Sequence, residues 1–305
     1  MDRMSHDLGD RRAPDEHSSS FDAAFEVTRF LFREIRRDLL GQIRNTAPRL
    51  LRVLADVTAT FRSAHVVVLC YHRVRTRERF VDQMAALSAR GYSVVSMPQF
   101  TDWLHGSPLP SRPAAVLTFD HCYDEQLENA VPVLDSLKFP ATFFPLSAGL
   151  ADRGPDVVGP GRSTLLALTK AGHTIGCHTH THPVLTRLST TRLRQEVLGS
   201  KLTLEDALGQ RVSAFCYPHG ANDARVREVV REAEFDVAFT VDLGGVNRGD
   251  DPFRLKRVPV LGEPGSAELA GYLAGRFLVS GALLLSWKVR ERLLDRAALQ
   301  PERDG

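Results

Sequence analysis

The chain has 305 residues, 43% of them hydrophobic and 25% charged, with 39 Lys and Arg against 37 Asp and Glu. That composition excludes a wholly disordered or fibrous chain; domains usually run about 100–200 residues, so one large domain with an extension is expected. A formal charge of +2 gives no basic excess of the kind nucleic acid attracts, so nucleic acid is not an expected partner.

Residues 1–20 are polar, end in Ser18-Ser19-Ser20 and read as a disordered lead-in without the apolar core of a secretory signal. Over 21–61, Phe21, Phe25, Phe32, Ile35, Leu39 and Ile43 recur at helical spacing with Arg33, Glu34, Arg36 and Arg37 between them. Pro48 breaks this run, and Leu50, Leu51, Val53, Leu54 and Val57 begin a second. Such an amphipathic helical segment either covers the core or docks on a partner or a membrane surface. At the other end, a helix and tail are expected over 281–305. The most lipid-like stretch, Phe277–Trp287, is well short of the roughly 20 apolar residues that cross a bilayer. A cytoplasmic protein is expected, with peripheral membrane contact left open. Cys70, Cys122, Cys177 and Cys216 form no C-x-x-C pair and are expected as reduced thiols.

Between 62 and 280 the pattern alternates. Apolar strands are predicted at His65–Tyr71, Tyr92–Ser96, Ala114–Phe119, Ala141–Leu146, Thr174–Cys177, Ser213–Tyr217, Asp236–Val241 and Leu255–Val260. Helical patterns fall at Arg79–Arg90, Gln126–Leu137, Thr164–Ala171, Thr190–Leu208 and Asp223–Glu234. Strands separated by helices imply an α/β domain with a parallel sheet, and this many units favours a barrel over an open sheet. In such barrels the chemistry sits at the C-terminal ends of the strands.

Residues able to do chemistry gather at those ends. Of the 11 histidines, His72, His121, His178, His180, His182 and His219 follow predicted strands. In His178-Thr179-His180-Thr181-His182-Pro183, two histidines four apart on a helical turn face one way and can share a metal ion; His180 faces away. The alternative is a polar turn with solvent-facing rings. Asp120, directly after Val116-Leu117-Thr118-Phe119, is a catalytic carboxylate or a helix cap. His72 in Cys70-Tyr71-His72-Arg73-Val74 is a candidate general acid or a buried, hydrogen-bonded histidine.

In their order, LCYHRV, LTFDHCYDE, HTHTHP, FCYPHG and DDPFRLKRV resemble the landmarks of the polysaccharide deacetylases of carbohydrate esterase family 4, in the exopolysaccharide-modifying branch with an early Tyr-His motif. The resemblance runs from Val66 to Val260, about two-thirds of the chain. It implies a distorted (β/α) barrel and a hydrolase that removes N-acetyl groups from amino sugars with a divalent metal, zinc being the expected ion. It also implies roles for single residues. Asp120 becomes the general base, His72 the general acid and Arg257 the residue that orients the base. His178 and His182 become metal ligands, and the backbone near Tyr217, Pro218 and His219 an oxyanion pocket.

The sequence departs from the family pattern at the site itself. The second aspartate of T-F-D-D-G, the third metal ligand, is His121 here, and the following glycine is Cys122. Three readings follow. In the first, His121 replaces the carboxylate and three imidazoles hold the ion, an arrangement zinc accepts. An imidazole nitrogen reaches farther from the backbone than a carboxylate oxygen, so the loop or the ion must shift. In the second, the metal is lost and the chain is a glycan-binding or scaffold relative. In the third, Cys122 is a ligand or nucleophile, and several thiols crowd the barrel mouth. Cys177 and His178, as neighbours in a strand, should face opposite ways. The expected substrate is an N-acetylated glycan, polymer-borne or carrier-linked, with a small acylated metabolite as a second possibility. Activity should follow a bell-shaped pH profile with Asp120 ionised and His72 protonated.

Overall fold

The computed structural model describes residues 66–111, 113–150 and 159–273. The expected lead-in, the amphipathic segment over 21–61 and the C-terminal helix and tail all lie outside the described residues. Within them no helix is long and apolar enough to cross a membrane.

The elements run in this order: β1 (Val66–Tyr71), α1 (Arg77–Ala89), β2 (Ser93–Val94), α2 (Met97–Leu104), β3 (Ala114–His121), α3 (Asp124–Asn129), α4 (Val131–Leu137) and β4 (Thr142–Pro145). There follow α5 (Arg162–Lys170), β5 (Thr174–Ile175), α6 (Thr190–Arg194), α7 (Ser200–Leu208), β6 (Ala214–Cys216), α8 (Ala224–Glu232), β7 (Val237–Leu243), β8 (Leu255–Val260) and α9 (Ser266–Leu273). All eight predicted strands are present. The stretch predicted as one helix over Gln126–Leu137 is two, because Pro132 in the first turn of α4 cannot continue a helix from α3. The helix α2 went unpredicted. Its start is written locally, since the Ser96 hydroxyl and the Gln99 side chain cap each other's backbone amides.

Sheet order is β5-β4-β3-β1-β8-β7-β6, every ladder parallel, with β2 added beside β3. The edges meet beyond β5, where the Cys177 amide donates to Ala214 O at 2.9 Å and the Cys216 amide donates to Cys177 O at 2.9 Å. The result is a nearly closed barrel. Gly176 permits this closure, since a Cβ there would lie 2.3 Å from the Phe144 ring.

Strand parity divides the core in two. Val66, Val68, Ala114, Val116, Ala214, Val237, Phe239 and Leu255 point into the barrel and join Phe100 and Trp103 of α2, which plug it at the strand starts. Val67, Leu69, Ala115, Leu117, Val258 and Val260 point outward to the helices. Strands buried on both faces read as unbroken apolar runs, which is why β1 and β3 were legible. The same parity carries Cys70, Thr118, Asp120, Cys216 and Arg257 to the inside, above the plug. Polar groups can be buried there because they satisfy one another.

Candidate active site and metal centre

Asp120, next to last in β3, is buried and held by a fork. Arg257 Nη1 and Nη2, from β8, donate to Oδ1 and Oδ2 at 2.8 Å each. Arg257 is itself positioned by Thr240 O, which accepts from Nε at 3.0 Å, and by Thr118 Oγ1 at 3.3 Å from Nη1. Two thiols flank the same carboxylate, with Cys70 Sγ and Cys216 Sγ each 3.5 Å from Oδ2. His72, just past β1, sets Nε2 3.6 Å from Oδ2. Burial alone would raise the Asp120 pKa, but the Arg257 guanidinium outweighs it and holds the carboxyl well below the usual carboxylate range. Asp120 is therefore an ionised, oriented carboxylate. The capping alternative fails on geometry, since Asp120 bonds Arg257 and the residue preceding α3 is Tyr123.

The histidines converge beside it. His121 ends β3, while His178 and His182 lie in the loop after β5. One ligand nitrogen from each lies within 4.8 Å of the other two. His178 Nδ1 is 2.8 Å from Cys216 O, so it donates its proton there and leaves the Nε2 lone pair free for the centre of the cluster. The Nε2 atoms of His178 and His182 are 3.1 Å apart. Two nitrogens bound tetrahedrally to one zinc at about 2.0–2.1 Å would lie about 3.3 Å apart, so these residues fit such an ion. Burial, then the neighbouring imidazoles, lowers the pKa of His178 and of His182 to about 3 and that of His121 well below its ordinary value. The imidazoles are thus neutral near pH 7, the form that binds metal.

The expected helical turn is absent: His178 to His182 is a loop with Thr179 and His182 at positive φ, and within it His180 turns away and pairs Nδ1 with Ser147 Oγ at 2.9 Å. The loop bearing both histidines hangs from Glu196, whose carboxylate accepts from the His180 and Thr181 amides at 3.0 and 2.9 Å and from Thr181 Oγ1 at 2.7 Å. Glu196 lies in a π turn, Gln195–Gly199, between α6 and α7, a local widening common near functional sites. Nothing in the sequence singled it out. Gln126 was also missed. Fully buried, it donates to His72 O and Asp120 O at 2.9 Å each and accepts from the Tyr123 amide at 3.1 Å.

The predicted oxyanion tripeptide is divided. The Tyr217 amide donates to Phe239 O at 3.1 Å and its hydroxyl to Phe253 O at 3.1 Å, so Tyr217 is a wall residue. Pro218 has no N–H. The exposed His219, at φ 58°, places its ring 4.5 Å from that of His182. Gly220 behind it is obligatory, because a Cβ there would meet Val241 at 2.1 Å.

Cys122 does not join the site. Its side chain is buried in the layer between sheet and helices, where burial pushes the thiol up, and it belongs to no metal-capable group among the described residues. The ligand or nucleophile reading of Cys122 is corrected accordingly. Cys70 and Cys216 do crowd the mouth, but as neighbours of Asp120. Cys177 faces away from His178, with Sγ 2.9 Å from Ser200 Oγ. Of the seven described non-glycine residues at positive φ, His121, Cys122, Thr179, His182 and His219 are here, a concentration of backbone strain typical of functional loops.

A sequence model described as polysaccharide deacetylase matches residues 109–238. YxkH of Bacillus subtilis, a protein named for polysaccharide deacetylation, is 23% identical over 216 residues, covering 68% of this chain and 76% of that protein. Among solved structures, IcaB from Ammonifex degensii superposes with a TM-score of 0.62 at 25% identity, covering 70% of this chain and 98% of that one. The Streptococcus pyogenes deacetylase PplD, solved in complex with acetate, gives 0.62 at 20% identity, covering 69% and 97%. With the motifs in order on one barrel mouth, residues 109–238 match the polysaccharide deacetylase model, and the described barrel shares the fold of these solved structures.

Proposed function

We propose that this chain removes N-acetyl groups from an amino sugar in a polysaccharide or carrier-linked glycan, using a divalent metal, zinc by preference, held by His121, His178 and His182. The observation that carries the reading is the convergence of three neutral imidazoles beside an ionised, arginine-clamped carboxylate. When bound, the ion supplies Lewis acidity toward the acyl carbonyl and toward water. Asp120 takes the proton from the attacking water, and Arg257 keeps its carboxylate ionised and correctly turned. His72 lies close enough to Asp120 to share the reaction centre and gives a proton to the departing amine. Between Tyr217 and Pro218, neither of which offers a donor, and Gly220, whose amide donates to Tyr217 O, the His219 amide is the group this turn can direct at the developing oxyanion. The products are acetate and the free amine.

The test is the metal content of protein purified without a chelating tag and dialysed against zinc. One tightly held ion per chain, lost in His121→Ala, is the expected result. No ion in the native chain, with binding restored by His121→Asp, would overturn the reading and favour a glycan-binding role.

A further inference from the structure

The His178 imidazole is fixed through Nδ1 to Cys216 O, and His182 is held through its backbone, its amide donating to Thr179 Oγ1 at 3.0 Å. His121 has less support. It stands with Cys122 on two successive left-handed residues, at φ 71° and 59°, and no described group hydrogen-bonds its ring. A metal-binding histidine ordinarily donates its outer N–H to a carboxylate or carbonyl, and losing that partner weakens metal binding about 10–100-fold.

A different support is in place. The Tyr123 ring stacks on His121, with centroids 4.9 Å apart and planes 25° from parallel. The Arg73 guanidinium lies over the same Tyr123 ring, 4.3 Å from its centroid. Gln126 fixes the backbone on either side of the strained pair, accepting from the Tyr123 amide and donating to Asp120 O. Below the loop, the buried Cys122 side chain anchors it in the apolar layer. We propose that Tyr123 is a positioning residue for His121, its stacked ring orienting the imidazole toward the metal in place of the missing outer hydrogen bond. This rests on the reading of His121 as a ligand.

The physical logic follows from the ring's freedom. A side chain on a left-handed residue, with no hydrogen bond to its ring, would sample rotamers that point its nitrogen away from His178 and His182. An aromatic neighbour prefers offset-stacked geometry and restricts those rotamers without consuming either nitrogen. Either nitrogen then remains available to the ion.

The test is zinc affinity by calorimetry, together with the visible absorption of the cobalt(II)-loaded protein, in wild type, His121→Ala, Tyr123→Phe, Tyr123→Leu and Tyr123→Ala. The expected result is wild-type affinity and spectrum in Tyr123→Phe, which keeps the ring. Tyr123→Leu and Tyr123→Ala should each lose about 10–100-fold in affinity and show an altered cobalt spectrum. The two truncations guard against one failing to fold. Wild-type affinity in the folded truncations, with binding still weakened by His121→Ala, would overturn the role of Tyr123 and leave the three-histidine site standing. Binding unaffected by His121→Ala would overturn the site and the role of Tyr123 together.

Discussion

On the β1–β3–β8 side of the barrel mouth, Asp120 is clamped by Arg257 through two bonds of 2.8 Å, and the pair's charges cancel within the fold. On the β5–β6 side, the Nε2 atoms of His178 and His182 face each other at 3.1 Å. Because His178 Nδ1 gives its proton to Cys216 O, the protein without metal must place a proton on His182 Nε2 to make that contact attractive. The first half is complete as folded. In the proposed reading an ion completes the second, so that one mouth joins a carboxylate whose charge state the fold fixes and a ligand set whose state the ion decides.

The largest effect should come from the clamped half. Asp120→Asn keeps the shape and removes the base, and turnover should fall by about 10²–10⁴, measured as acetate released from an N-acetylated oligosaccharide. Full activity in that variant would sink the mechanism. Arg257→Met sharpens the same contrast through stability. It leaves a buried carboxylate without its cation, which should cost roughly 3–5 kcal/mol in denaturant unfolding. The histidine half should respond to the ion instead. Zinc at about a hundred times its Kd should add about 2.7 kcal/mol to the unfolding free energy of wild type, by mass action. That increment should vanish in His178→Ala and persist in whatever Arg257→Met folds. An equal gain in His178→Ala would place the ion elsewhere.

The same division explains what the sequence disclosed. Strands buried on both faces are continuous apolar runs, so β1 and β3 could be read directly, and Asp120 and His72 followed from lying at or just past their C-terminal ends. The histidines were legible because the residue type is chemically distinctive and the spacing is short. Gln126 and Glu196 were not, although both hold site loops in place. A glutamine inside a predicted helix and a glutamate in a polar helix look like ordinary solvent-facing residues. Their roles depend on a helix that starts at Asp124, two residues before the predicted start, and on a π turn, neither of which has a periodic signature. The third reading, with Cys122 as ligand or nucleophile, failed for a related reason. Strand alternation after Phe119 predicts its direction only while the backbone stays extended, and His121 and Cys122 leave that region. Cys70 and Cys216 fell on the inner face, a parity fixed once the register is known.

His173 supplies the smallest test, because it is a buried histidine outside the mouth with a complete set of partners. Its Nδ1 accepts from the Ala141 amide at 3.2 Å, and Nε2 is 3.1 Å from Asp135 Oδ1. Burial lowers its pKa below the ordinary 6.5, with the Asp135 carboxylate offsetting part of the shift. The native state therefore holds fewer protons than the unfolded chain. The contribution is fully present above about 6.5 and fades as pH falls through that value toward the lower folded one. His173→Phe leaves the Ala141 amide without its acceptor, at a cost of about 1–3 kcal/mol near pH 7. The gap between wild type and variant in urea unfolding should narrow at pH 5, whether or not zinc is present. A gap that changed with zinc instead would tie His173 to the metal-responsive half, and the separation between structural and ligand histidines would fail.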